Sequence, residues 1–185
     1  MNDVLKTIAS RRSTRQFRPE QITDAELHAI LEAGLQAPTG HNEQSCYFVV
    51  IQNSERIREI SEGSKIEMQK VPADWIANIG RNEKFNIFYN APTVVLVSAR
   101  KDAVSPVPDA CAAIQNMVIA AESLGIGSCW IGFAHFYFYS PERLRSIGIP
   151  EGHAVHFGVA LGYRPDGFTA SRPARKYEKY YHVIQ

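Results

Sequence analysis

Thr93-Val-Val-Leu-Val-Ser-Ala99 is β-branched and almost wholly apolar, the composition of a central strand covered on both faces. Helices must cover such a strand, and the flanking sequence supplies them. Downstream, Asp109 to Leu124 carries Ile114, Met117, Val118, Ala121 and Leu124 at helical spacing and stops at Gly125. Upstream, Thr23 and Glu26 form a capping box, and Leu27, Ile30, Leu31 and Leu35 make an apolar stripe before Gly34 and Pro38 close the element. Further out, Val4, Leu5, Ile8 and Ala9 make a short amphipathic helix, Tyr47 to Gln52 a buried strand, and a helix starts near Ser54. Ser128 to Gly132 reads as a short strand, Pro141 to Ile147 as a short helix, and Ala154 to Leu161 as a strand rich in Gly and Ala. The region from Gly63 to Tyr89 is mixed, with Trp75, Ile76, Phe85, Ile87 and Phe88 suggesting a lid or interface flap. The order is mixed α and β, without internal repeats.

With 185 residues, 45% hydrophobic and 21% charged, the chain can bury one core as a single domain or as a subunit of an intertwined dimer. Its 20 Lys and Arg against 19 Asp and Glu supply no basic field for nucleic acid. Cys46, Cys111 and Cys129 are odd in number, widely spaced and without a C-x-x-C pair, which argues against a disulfide framework or zinc site and fits a reducing cytoplasm. The N-terminus lacks the apolar core of a signal peptide, and no apolar run approaches a membrane span.

Three stretches carry chemistry. Ser10-Arg-Arg-Ser-Thr-Arg-Gln-Phe17 is an anion cradle, since Arg offers a planar fork matched to phosphate and Ser a hydroxyl. If extended, its alternation turns Arg11, Ser13 and Arg15 toward one ligand; taken alone, it reads as well as a basic helix end. Ala37-Pro-Thr-Gly-His-Asn-Glu-Gln44 is a turn-rich loop whose Asn42 and Gln44 amides suit the edge of a heterocycle, and in isolation an ordinary polar connection. Gly125-Ile-Gly-Ser-Cys-Trp-Ile-Gly132 can present backbone amides to a flat ring, or serve tight helix-to-strand packing. No triad or metal motif accompanies them, and His41, His135, His153, His156 and Cys129 read as structural. The tail from Gly167 to Gln185 holds Arg172, Arg175, Lys176, Tyr177, Tyr180 and Tyr181; too polar for a core, it is expected to wrap a partner surface.

In this order, and joined by Tyr-Asn-Ala-Pro before the central strand and Gly-Tyr-Arg-Pro and Arg-Lys near the C-terminus, these motifs make the chain resemble the FMN-dependent nitroreductase family over nearly its whole length. The resemblance implies an α+β, three-layer α/β/α fold with a mixed four- or five-stranded sheet wrapped by helices. It implies a single domain, residues 1–185, in an intertwined homodimer with FMN at the subunit interface and an arm from about residue 167 crossing to the partner. By the same resemblance, Arg11, Arg12 and Ser13 hold the phosphate and ribityl chain with Arg175 and Lys176, and Arg15 lies near flavin N1 and the C2 carbonyl. Pro38, Thr39, Gly40, Asn42 and Gln44 belong to the loop contributed by the other subunit, and Ile131 and Gly132 to the segment beside the flavin. Some relatives carry Glu where this chain has Ile131, which leaves NADH against NADPH open, and Asn82, Lys84 and Asn86 all remain open for a mid-chain flavin contact. The implied activity is ping-pong hydride transfer from NADH or NADPH through flavin N5 to a nitroaromatic, quinone or similar small acceptor, with no protein nucleophile. The alternative is an FMN-binding sensor or storage module with little turnover.

Overall fold

The computed structural model describes residues 1–171, 174 and 182–184. Four antiparallel strands, β1 (Cys46–Ile51), β2 (Thr93–Arg100), β3 (Gly127–Ile131) and β4 (His153–Gly162), form one sheet in the order β1-β2-β4-β3. β2 is interior, and all of it is buried except the partly exposed Arg100 at its end.

Side chains alternate across a strand, so β2 feeds two cores. Val94 and Leu96 pack with Ile57, Ile60 and Met68 of α3 (Ser54–Met68) and with Phe136, Tyr137 and Phe138 of a 3₁₀ segment, Phe133–Tyr139. Val95 and Val97 pack on the opposite face with Leu27 and Ile30 of α2 (Asp24–Leu35) and Ile114, Met117 and Val118 of α5 (Pro106–Ser123). With α1 (Asp3–Ser10), α4 (Asp74–Arg81) and α6 (Pro141–Arg145) on the periphery, the result is the expected three-layer α/β/α arrangement. The four strands are antiparallel, and the parallel component enters as a single bridge from Ser13 to Ser128 on β3. Between β2 and β4 the register slips, since Val97 pairs with Phe157 and Ser98 with Val155, which leaves His156 as the extra residue of a bulge.

The Thr23–Glu26 capping box forms in both directions. Gly34, however, does not close α2. It sits buried in the last turn, where a Cβ would collide with Met117, so its use is the close approach of α2 to α5. Leu35 was expected on the buried stripe and is 66% exposed, because the turn that buries Gly34 points the next residue outward. α5 begins at Pro106, earlier than the apolar pattern suggested, with proline in the first turn where its missing N–H costs nothing. The region expected as a flap divides: α3 runs on to Met68, α4 holds the exposed Trp75, and Ile87 and Phe88 are core residues.

Candidate functional site

After α1 the chain becomes extended and runs beside β3. Thr14 N–H donates to the Ser128 carbonyl at 2.8 Å, and the Thr14 side chain is fully buried. With Thr14 turned inward, Arg11, Arg12, Ser13, Arg15 and Gln16 line a cleft of about 760 Å³, walled on its other side by residues 165–171. That volume lies within the roughly 300–1,000 Å³ of small-molecule sites. Among the described residues, Arg11, Arg12 and Arg15 form no ion pair with a carboxylate. Guanidiniums facing one cleft repel each other, and a phosphate converts that repulsion into charged hydrogen bonds.

The three arginines are not equivalent. Arg12 Nη1 donates to the carbonyls of Ala9 at 2.9 Å and Arg11 at 2.6 Å, so part of its fork caps α1. The helix-end reading is thus correct for Arg12 in part. Arg15 lies with its guanidinium carbon 5.7 Å from the centre of the Tyr89 ring, and the polar contact with Tyr89 raises its pKa further despite some burial. Cys129 of β3 adjoins the cluster: burial pushes its thiol pKa up, while Arg15, Ser13 and Arg11 pull the other way. β3 ends at Ile131, whose side chain is buried in the core on the α3 side of the sheet, so only its backbone and Gly132 are available to a ligand beside this strand. A Cβ at Gly132 would meet nothing within 4 Å, and His135 Nδ1 stands 2.6 Å from the Gly132 carbonyl oxygen.

The loop 38–44 lies elsewhere on the chain. Pro38, Thr39, Asn42 and Gln44 line a second cleft of about 510 Å³ that shares no residue with the first. The single chain therefore does not bring the loop to the arginines. Its backbone is strained, with His41, Asn42 and Gln44 at φ of 50°, 56° and 48°. Left-handed backbone costs a non-glycine residue about 1–2 kcal/mol, Asn least, and persists only when its surroundings enforce it.

The enforcement comes from α5 and from within the loop. Asp109 Oδ1 accepts from Gly40 N–H at 3.0 Å and from Ser105 Oγ at 2.8 Å, and Oδ2 accepts from Ser45 Oγ at 2.9 Å. Glu43 Oε2 accepts from Val104 N–H at 2.8 Å, and Thr39 Oγ1 accepts from Gln44 N–H at 3.0 Å. Gly40 fits because a Cβ there would collide with Ser105 Oγ. Asp109 is only 3% exposed. Burial pushes its pKa up, but the Gly40 N–H and the Ser105 and Ser45 hydroxyls outweigh this and hold it below the ordinary aspartate value.

Asp109 and Tyr89 were missed as site residues. For Asp109 a signal existed: it lies four and eight residues before the buried Ala113 and Met117, so it is a charge on the buried face of α5. Tyr89 opens the Tyr-Asn-Ala-Pro motif before the central strand, but its partner Arg15 lies 74 residues away and is met only through the fold. Of the mid-chain candidates, Asn82 Oδ1 accepts from Lys84 N–H at 3.1 Å and Asn86 Oδ1 from Phe88 N–H at 2.8 Å, so both shape turns, while Lys84 is exposed. Arg175 and Lys176 lie outside the described residues.

A family model described as "Nitroreductase family" matches residues 8–163. A solved nitroreductase from Bacteroides fragilis with bound FMN is similar at 36% identity and a TM-score of 0.92, over 100% of both chains. One from Desulfitobacterium hafniense, also with bound FMN, is similar at 30% identity and a TM-score of 0.89, again over 100% of both. An FMN reductase [NAD(P)H] from Bacillus subtilis is 32% identical, covering 94% of this chain and 70% of its own length.

Proposed function

The chain belongs to the nitroreductase family, and we propose that it is an FMN-dependent oxidoreductase that passes hydride from NADH or NADPH to a small electron-poor acceptor such as a nitroaromatic or quinone. The observation that carries this reading is the cleft lined by Arg11, Arg12, Ser13 and Arg15, whose three guanidiniums make no ion pair among the described residues, the cleft's one carboxylate, Asp166, lying instead 3.9 Å from Arg18. Those donors fit the FMN phosphate and polar chain, and the FMN-bound structures from B. fragilis and D. hafniense support the match.

Bound FMN supplies hydride acceptance and donation at N5. The protein's part is to hold and tune. Arg11 and Ser13 present donors to the phosphate, and Arg12 joins them with the part of its fork not tied to α1. The family resemblance assigns Arg175 and Lys176 to the same phosphate, and both lie outside the described residues. Arg15, braced against Tyr89, places a permanent positive charge where the reduced ring is electron-rich, which favours hydride acceptance. Gly132 leaves the end of β3 open to a flat ring. No side-chain nucleophile is needed.

The site requires two copies. Pro38, Thr39, Gly40, Asn42 and Gln44 reach a flavin only if it is held by another subunit's arginines, since the two clefts of one chain are separate. A homodimer also accounts for Val4, Leu5 and Ile8 of α1, which are 62%, 49% and 48% exposed on one apolar face, and for Leu35 and Val107. In that dimer the chain is one domain, and residues 165–171, where the crossing arm was expected to begin, wall the chain's own arginine cleft. No described helix is long and apolar enough to cross a membrane, and Cys46, Cys111 and Cys129 are free thiols. This supports a cytoplasmic location.

Anaerobic reduction tests the reading. The purified protein is expected to carry a yellow flavin that bleaches on addition of NADH or NADPH and recovers when a nitroaromatic is added. Flavin that binds tightly but is reduced by neither donor would overturn it.

A further inference from the structure

Asp109 is a buried carboxylate for which hydride transfer has no direct use. It sits in the first turn of α5, in the wall of the loop cleft and not in the arginine cleft. Its two oxygens take three hydrogen bonds, all donated to it: Gly40 N–H and Ser105 Oγ on Oδ1, and Ser45 Oγ on Oδ2. Gly40 and Ser45 bracket the left-handed residues His41, Asn42 and Gln44, so one carboxylate grips both ends of the strained segment. Ser105 completes the grip, because it donates to Asp109 and packs against the face of Gly40 where any Cβ would collide. Glu43 adds a second tie to the same connection through Val104 N–H.

A strained loop held at both ends by a buried charge is a preorganised surface. Without the charge, His41, Asn42 and Gln44 relax toward right-handed or extended backbone, and the amide of Asn42 loses its direction. We propose that Asp109 is a positioning residue for the flavin, fixing residues 39–44 in the shape in which Thr39, Gly40 and Asn42 meet the ring bound by the partner subunit. This rests on the reading that the loop contacts FMN. Both Asp109 oxygens are taken up by Gly40, Ser105 and Ser45, so its effect on the flavin passes through the loop.

The test uses the full-length protein stripped of flavin and titrated with FMN and with riboflavin. Asp109→Asn keeps the size and one acceptor oxygen but removes the charge. It is expected to weaken FMN and riboflavin alike, by about tenfold, and to change the visible circular dichroism of the bound flavin. Asn42→Ala on its own is expected to weaken both ligands, and to add little on the Asp109→Asn background, because the amide is already misdirected there. Unchanged affinity and dichroism in Asp109→Asn, or losses that add in full in the double variant, would overturn the proposal. Should Asp109→Asn not fold, Ser105→Ala, which removes one donor to Oδ1, must move affinity and dichroism in the same direction, and no movement overturns it equally. Binding by the unaltered protein is read separately: if it takes up neither flavin, the cofactor reading itself fails.

Discussion

The arginine cleft and the loop 38–44, which we propose meet one flavin across two subunits, are built in opposite ways. In the cleft, Arg11, Arg12 and Arg15 are gathered without an ion pair among the described residues, since Asp166 on the opposite wall faces Arg18, so an arriving anion meets unpaired guanidiniums. In the loop, the left-handed backbone is held inside the chain by bonds to Asp109, Glu43 and Thr39, so its shape does not wait for a ligand. The difference follows from what each must recognise. A phosphate carries enough charge to organise flexible side chains around itself, whereas a ring edge offers a few weak, directional contacts and rewards only a surface shaped beforehand.

Separating phosphate from ring is the sharpest way to break this contrast. Arg11→Ala should weaken FMN by about 1–3 kcal/mol, the range for a charged hydrogen bond, and leave riboflavin almost unaffected. Fluorescence titration with both flavins checks it, and equal losses for the two would mean that Arg11 does not serve the phosphate. A smaller effect is expected at the loop. Gly40→Ala pushes Ser105 away from Asp109 and should cost about 0.5–1.5 kcal/mol of unfolding free energy in urea, one hydrogen bond's worth. An unchanged midpoint would show that the loop is not locked as described.

The smallest effect separates the two regions by pH. Asp109 has a depressed pKa in the folded chain, so its stabilising contribution is complete above the unfolded aspartate value near 3.9 and disappears as pH falls through the lower folded value. Asp109→Asn should therefore flatten the acid limb of a stability-against-pH curve below about pH 4. The arginines contribute nothing there, since guanidinium stays protonated throughout. Identical acid limbs in the two proteins would remove Asp109 from the account.

Much of the architecture was readable because it depends on short-range periodicity. The apolar run from Thr93 fixed an interior strand, the Thr23–Glu26 pair fixed a helix start, and Met117 with its neighbours fixed a buried helical face. The common cleft of Arg11, Ser13 and Arg15 was readable for the same reason: their alternation around an inward Thr14 is a property of one extended segment. The role of Gly34 was not readable, because a helix-ending glycine and a packing glycine look alike until Met117 is placed opposite it.

Residue order thus settles which segments are helices and strands, which faces are apolar, and that Arg11, Ser13 and Arg15 share one side of an extended segment, since each depends on neighbours a few positions apart. Spatial folding settles that Arg12 is half spent on its own helix, that Ile131 turns into the core, that Tyr89 braces Arg15, and that a carboxylate at position 109 governs a loop about 70 residues earlier. Hydrogen bonds and burial act over a few ångströms of space, and a linear chain does not record which distant residues will lie within that reach.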